Sequence, residues 1–306
     1  MGLHLIPYGT NIDFVSKKNI VFAILIAIAL LCTGSMVMRG FNYGIDFKGG
    51  LLLELRTQGP ADIGNLRSKI NGIVQGEITL QEFGAPNDVL IRVEQQPGGD
   101  EGQLKTLNKI KETLGTSVEY RRVETVGPKV SADLIRNGVY AILWALVAML
   151  IYIWFRFEWQ FGVCSLITLA HDAMIVLGLF SIFGLEFNES AIIAVLITIT
   201  YSINDTVVIY DRIRENLRKF KKMPLGDLIN RSINETLSRT ILTSTTTLLS
   251  LLGLYFFGGP VIAAFSLPII IGILAGTVSS ITVSAPLLLH MRLREGVVLD
   301  VEANKS

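Results

Sequence analysis

Charge is scarce in this chain. Asp, Glu, Lys and Arg make up 17% of its 306 residues and the net charge is +1, where soluble domains carry roughly 25% charged residues. So balanced a chain has no basic stripe for nucleic acid, and none is expected as a partner. Histidine is scarcer still. His4, His171 and His290 are the whole supply, too few and too scattered for a metal centre of several ligands. The two cysteines, Cys32 and Cys164, both fall inside apolar runs, which excludes a disulfide framework. There is no G-x-x-x-x-G-K-[ST] segment, hence no ATP site of the Walker kind. No G-x-S-x-G elbow accompanies the adjacent His171 and Asp172, so a hydrolytic triad lacks its positioned nucleophile. The chain is therefore expected to be neither an enzyme nor the holder of a cofactor.

What it has is apolar length. Half of the residues are hydrophobic, 50%, and they gather in near-continuous runs at about 20–38, 136–155, 161–183, 188–211, 240–258 and 262–290. A run of about twenty such residues crosses a bilayer as a helix, because an open strand in lipid leaves backbone groups unpaired. Six spans are expected. The first reads as a retained anchor, since no A-x-A-like cleavage site follows it. The last is long enough for a tilted span or for a helix broken near Pro268.

The expected organisation is a cytoplasmic segment 1–18, a first span 19–38, an outer domain 39–135, a bundle 136–290 with a basic cytoplasmic loop 212–239, and a cytoplasmic tail 291–306. Orientation follows from Lys and Arg near span ends. Lys17 and Lys18 precede span one and Arg156 lies between spans two and three. Arg212, Arg214, Arg218, Lys219, Lys221, Lys222, Arg231 and Arg239 crowd the connection between spans four and five, and Arg292 and Arg294 follow span six. Both termini are thus expected in the cytoplasm.

The outer segment alternates between strand and helix signals. GGLLLELRT, EITLQEF, DVLIRVEQ and SVEYRRVETV read as strands, the second and third separated by GAPN. DIGNLRSKINGIV and DEGQLKTLNKIKETLG read as amphipathic helices. The order β-α-β-β-α-β is that of a ferredoxin-like unit. The expected fold class is a six-span helical membrane protein carrying one such α+β domain.

Polar residues inside the spans are the candidate site. On a helix Thr198, Tyr201, Ser202, Asp205 and Arg212 fall near one face. Asp205 lies roughly 10 Å inside the polar border by helical rise. A charge at bilayer depth costs roughly 2.5–3.5 kcal/mol on insertion scales, so it needs a cavity or a partner. Two readings are open for Asp205: an acid that loads and releases a proton, or a hydrogen-bonded or snorkelling group. Arg239, Thr243, Thr246 and Ser250 form a second stripe on span five. Arg239 either reaches toward Asp205 or is an ordinary basic anchor. Ser165, Thr168 and Asp172, with His171 beside, form a third stripe, read as a proton relay or as an intrabundle anchor. Asn204 belongs with the relay or packing candidates, as do Tyr201 and Thr243. Gly272, Gly276, Ser280 and Ser284 form a small-residue row suited to close helix contact.

FNYGIDFKGG at 41–50 resembles the signature of the SecD/SecF family of membrane proteins. GPKVS at 127–131, YSINDTVVIYDRIREN at 201–216, SRTILTSTTT at 238–247 and FGGPVIAAFS at 257–266 resemble the SecF branch of that family. The resemblance covers nearly the whole chain. It implies a subunit that, with SecD, draws unfolded preproteins outward through the SecYEG channel using the proton-motive force, with YajC as an accessory. It implies a place in the bacterial inner membrane among lipid, with the 39–135 domain in the periplasm. It places the proton-linked carboxylate at Asp205 and its basic partner at Arg239; the coupling ion is H⁺, with Na⁺ as the alternative. In the signature itself, Gly44, Gly49 and Gly50 read as tight turns where span one enters the outer domain. Asp46 and Lys48 are expected to pair with each other or to bind the base of the domain.

Overall fold

The computed structural model describes residues 10–291 and Leu293. His4, Arg292, Arg294 and most of the expected tail 291–306 lie outside the described residues. Six helices among those described are long and apolar enough to cross a membrane: Lys18–Arg39, Pro128–Arg156, Trp159–Phe183, Glu189–Lys219, Leu225–Phe257 and Ile262–His290.

Helix α1 (Lys18–Arg39) stops at Gly40, whose φ of 67° suits glycine. A two-residue strand β1 (Asn42–Tyr43) and a one-turn helix α2 (Ile45–Lys48) lead into the outer sheet. This sheet contains β2 (Gly50–Thr57), β3 (Ile78–Phe83), β4 (Ala85–Val93) and β5 (Val118–Val126). Helices α3 (Ile63–Asn71) and α4 (Gly99–Leu114) cover one face. Asp62 starts α3 by accepting a hydrogen bond from the Asn65 amide at 3.0 Å. The strand order β3-β4-β2-β5 is antiparallel throughout, the order compatible with a ferredoxin-like βαββαβ unit.

Strand β2 is central, and both of its faces are covered. Leu51, Leu53 and Leu55 meet Ile70 and Ile110 on the helix side, while Leu52 packs with Leu90 and Ile45 on the other. That double burial explains why three leucines, Leu51 to Leu53, stand in a row. The GAPN segment is tighter than the loop expected between β3 and β4: the strands close through Gly84, whose φ is 85°.

Strand β5 passes directly into α5 (Pro128–Arg156), with Pro128 at the first helical turn. Helices α6 (Trp159–Phe183), α7 (Glu189–Lys219), α8 (Leu225–Phe257) and α9 (Gly259–Ser279) complete the bundle. A short strand β6 (Glu186–Phe187) between α6 and α7 pairs in parallel with β1, a pairing that two residues on each side could not announce in sequence.

One expectation about the bundle is corrected. The basic segment 212–239 is not a loop. Helix α7 runs to Lys219 and α8 starts at Leu225, so only 220–224 turns. The polar helix ends stay helical because each buries an apolar stripe, Ile213 and Leu217 on α7 and Leu228, Ile229, Ile233 and Leu237 on α8. Ion pairs add to this, Arg212 Nε to Glu235 Oε2 at 2.6 Å and Arg231 Nε to Glu235 Oε1 at 2.8 Å. Of the two readings of the last span, the break near Pro268 is not observed; α9 continues through it. Neighbouring helices let a membrane helix keep such a proline. The irregularity falls later, in a π turn over Ser280–Ser284. There the Tyr210 hydroxyl donates to the Ser284 carbonyl at 3.3 Å and the Ser284 hydroxyl donates to Tyr210 Oη at 2.5 Å.

Candidate functional site

Helix α7 organises the polar interior. Its inner face carries Thr198, Ser202, Asp205 and Thr206, all buried, at the three- and four-residue spacing that keeps one side of a helix together. The helix can approach α9 because α9 has glycine there. A Cβ at Gly276 would sit 3.1 Å from that of Ser202, and one at Gly272 would strike the Thr198 hydroxyl. The small-residue row is thus what brings the polar face of α7 against α9.

Two carboxylates lie in this interior, in separate hydrogen-bond groups. Asp205, 4% exposed, takes a long bond from Ser244 Oγ of α8 at 3.5 Å. Ser244 is in turn 2.7 Å from Thr277 Oγ1 of α9, so spans four, five and six meet at Asp205. Asp172 of α6 is fully buried, 0% exposed. Its Oδ2 accepts from Ser202 Oγ at 2.5 Å and from Ser279 Oγ at 2.7 Å, and its Oδ1 is 3.2 Å from His171 Nδ1. Ser202 and Asp205 are three residues apart on α7, and Thr277 and Ser279 are two apart on α9, so the same two helices serve both groups.

The remaining candidates divide. Tyr201 Oη is 2.8 Å from Thr247 Oγ1 of α8. Thr243 turns its hydroxyl back to its own helix, to the Arg239 and Thr240 carbonyls at 3.1 and 2.9 Å. Asn204 is exposed on the outer side of α7 and joins neither group. Arg239 is exposed and forms no ion pair with Asp205 among the described residues. It lines an open cavity of about 750 Å³ at the polar helix ends with Arg156, Asp211, Arg212 and Glu235. The stripe read on span five is out of phase: Thr246 and Ser250 are exposed, while Thr236, Thr240 and Ser244 are buried. One residue is a 100° rotation on a helix, and an apolar run crowded with threonine gives no marker of which face turns inward.

Ser244, Thr277 and Ser279 are the polar residues that sequence reasoning missed. Ser279 follows Gly276 by three, a spacing that would have drawn it into the small-residue row. Thr198, Thr206 and Thr240 hydroxyls and His171 Nε2 are buried without a hydrogen-bond partner among the described residues. No three His, Cys, Asp or Glu side chains gather as a metal site among those residues.

The glycine-rich signature lies at the other end of α7. Gly49 and Gly50 have φ of 76° and 133°, which side chains rarely adopt. Asp46 does not pair with Lys48. Its Oδ2 accepts from the Glu189 amide at 3.1 Å, at the start of α7.

Comparison with known proteins bears on this arrangement. The family model described as protein export membrane protein SecD/SecF, C-terminal, matches residues 106–294. The chain belongs to the SecD/SecF family. The SecD/SecF GG motif matches residues 34–61 as well, the stretch holding Gly44 to Gly50. Protein translocase subunit SecF of Rickettsia bellii is 46% identical over 290 residues, covering 94% of this chain and 95% of that one. The Rickettsia felis SecF is 45% identical over the same share of this chain. These relatives put the chain on the SecF side of the family, as a translocase subunit and a multi-pass membrane protein. Among solved structures, SecDF from Thermus thermophilus, titled a translocon-associated membrane protein, superposes with a TM-score of 0.81 at 38% identity. SecDF in its super-membrane-facing form gives 0.70 at 37% identity. The chain spans 39% and 41% of those two SecDF chains.

Proposed function

We propose that this chain works with a SecD partner to couple an ion gradient to the outward movement of unfolded preproteins leaving the SecYEG channel. Asp205 is the proton-linked group in this reading and Arg239 its basic regulator. The observation that carries it is the seat of Asp205. A carboxylate enclosed by spans four, five and six, with one long hydrogen bond from Ser244 at 3.5 Å among the described residues, has little to compensate its charge. Ionised, it calls for Ser244, Thr277 and the approach of Arg239; neutral, it releases them. Each state favours a different packing of the three helices. One charge crossing 100 mV supplies roughly 2.3 kcal/mol, enough to bias a packing equilibrium more than tenfold.

Asp172 and His171 serve as the relay pair, since Ser202 and Ser279 connect them to the helices that hold Asp205. The chain sits in the inner membrane with both termini in the cytoplasm and residues 39–135 in the periplasm. This orientation is supported by the basic residues gathered between α7 and α8. The SecDF neighbours support the SecD partnership, because this chain corresponds to about two fifths of their length. YajC joins as an accessory.

Membrane vesicles holding the export machinery, energised by an imposed ΔpH or ΔNa⁺, test the proposal. Asp205→Asn keeps the shape and hydrogen-bonding reach of the side chain but cannot exchange a proton. It is expected to assemble normally and to lose gradient-stimulated export. Full export by the variant would sink the proton role and leave a structural subunit. The gradient that drives wild-type export identifies the ion.

A further inference from the structure

We propose that the glycine-rich segment 42–50 is a clasp tying the outer domain to helix α7, with Asp46 as a positioning residue at the head of that helix and Arg92–Glu186 as its lock. The inference rests on the proton reading above for the motion it transmits, and supplies the route by which a shift of α7 reaches the outer domain.

The clasp is built from both sides. β1 lies in parallel register with β6, Asn42 opposite Glu186 and Tyr43 opposite Phe187. Gly44 N donates to the Phe187 carbonyl at 2.9 Å, and Asn42 Nδ2 donates to the Gly184 carbonyl at 3.1 Å. Two residues later Asp46 accepts from the Glu189 amide at 3.1 Å, satisfying an orphan N–H in the first turn of α7. Phe187 fills the centre, its ring 4.8 Å from that of Phe41 and 5.5 Å from that of Phe47. A Cβ at Gly44 would sit 2.8 Å from Glu186 Oε1, so a larger residue there would displace the Glu186 carboxylate.

Ile45 of the clasp packs on Leu52 and Leu90 of the outer sheet, and one charged side chain adds a second tie. Arg92 stands on β4, on the sheet face away from the core that holds Ile91 and Val93, and it forms an ion pair with Glu186. Both are half-buried, 20% and 24% exposed at the side chain, and the pair bridges 94 positions of sequence. Next to it the sheet stands off from the bundle over a cavity of about 360 Å³, whose lining includes Glu54, Arg122, Glu124, Ala264 and Pro268. Across that gap the sheet lacks the direct packing that the clasp provides.

These contacts make the 184–189 turn, the head of α7 and strand β4 move as one body. Asp205 lies sixteen residues along the same unbroken helix, so a tilt of α7 driven by its charge swings Glu189 and carries the sheet with it. The clasp stays shut through the cycle; it transmits and does not gate.

Charge exchange in the full chain within its native membrane complex tests this. Vesicles carrying Arg92→Glu or Glu186→Arg are expected to take up the coupling ion at the wild-type rate while their gradient-driven export falls to the level of Asp205→Asn. The double variant, with the charges exchanged, is expected to recover export. Asp46→Ala should behave as the single variants do, and Asp46→Asn, which still caps a helix, as wild type. The proposal is overturned by full export in the single variants, by ion uptake lost together with export, or by no recovery in the exchanged pair. Asp205→Asn in the same vesicles tests the proton reading separately: retained ion uptake there removes that reading, while recovery in the exchanged pair still upholds the clasp.

Discussion

Beneath the outer sheet, Leu51, Leu53, Leu55, Ile70, Val89, Ile91 and Ile110 are all 0% exposed. Within the bundle, Asp172, Thr198, Ser280 and Ser284 are equally buried. The outer domain meets water, so removing apolar surface from water drives its folding and aliphatic side chains make its core. The bundle meets lipid, where a leucine gains little by turning inward, and helices associate through small residues and hydroxyls. Polar burial is therefore ordinary in the bundle. What sets Asp172 and Asp205 apart is that they are ionisable and enclosed.

Truncation on each side of the comparison sharpens it. Leu53→Ala removes a fully buried side chain from the strand with both faces covered, and should cost the outer domain about 2–5 kcal/mol. Hydrogen exchange over residues 50–126 during urea unfolding measures it. A loss below 1 kcal/mol would show that the outer domain leans on the bundle and has no independent core.

Asp172→Ala should cost less, about 1 kcal/mol, although Asp172 is just as buried. Ser202 loses its acceptor, but Ser279 keeps the Gly276 carbonyl at 3.0 Å, and polar contacts between membrane helices are individually weak. Thermal unfolding in detergent checks the value. A cost as large as that of Leu53→Ala would mean that the bundle relies on its polar groups as the outer domain relies on leucine.

The smallest effect concerns charge in the water-facing domain. Arg56 grips Asp88 with two bonds of 2.7 Å, and this hydrogen bonding holds the Asp88 carboxyl below its usual range. A carboxylate with a lowered folded pKa adds stability above its unfolded pKa, and that contribution disappears as pH falls through the folded value. Urea midpoints of the outer domain should thus fall between pH 5 and pH 2 more steeply in wild type than in Asp88→Asn. Parallel curves would assign the acid loss to other carboxylates.

The legible parts of this protein were those written in local pattern. The leucine-rich GGLLLELRT and the alternating SVEYRRVETV marked strands that are observed at Gly50–Thr57 and Val118–Val126. Apolar length alone marked six spans. The failures cluster where charged and hydroxyl side chains mask the apolar period. Residues 212–219 and 225–239 are amphipathic helix, with Ile213, Leu217, Leu228, Ile229, Ile233 and Leu237 buried at helical spacing that the surrounding charge masks, and with Arg212, Arg231 and Glu235 pairing outside that stripe. The inward face of α8 was misread by one residue because threonine and serine occupy several of its faces.

Amino-acid order by itself determined the membrane class, the number of long apolar helices, the β-α-β-β-α-β order of the outer domain and the unusual depth of Asp205. These rest on hydrophobicity and periodicity, which act between near neighbours along the chain. Tertiary structure alone decided that Asp172 is shared by Ser202 and Ser279, that Ser244 faces Asp205, and that Arg92 meets Glu186 across 94 residues. Such partners are selected by how helices rotate and cross. Those angles follow from close contacts such as that of Gly276 with Ser202, which hold no fixed spacing in sequence.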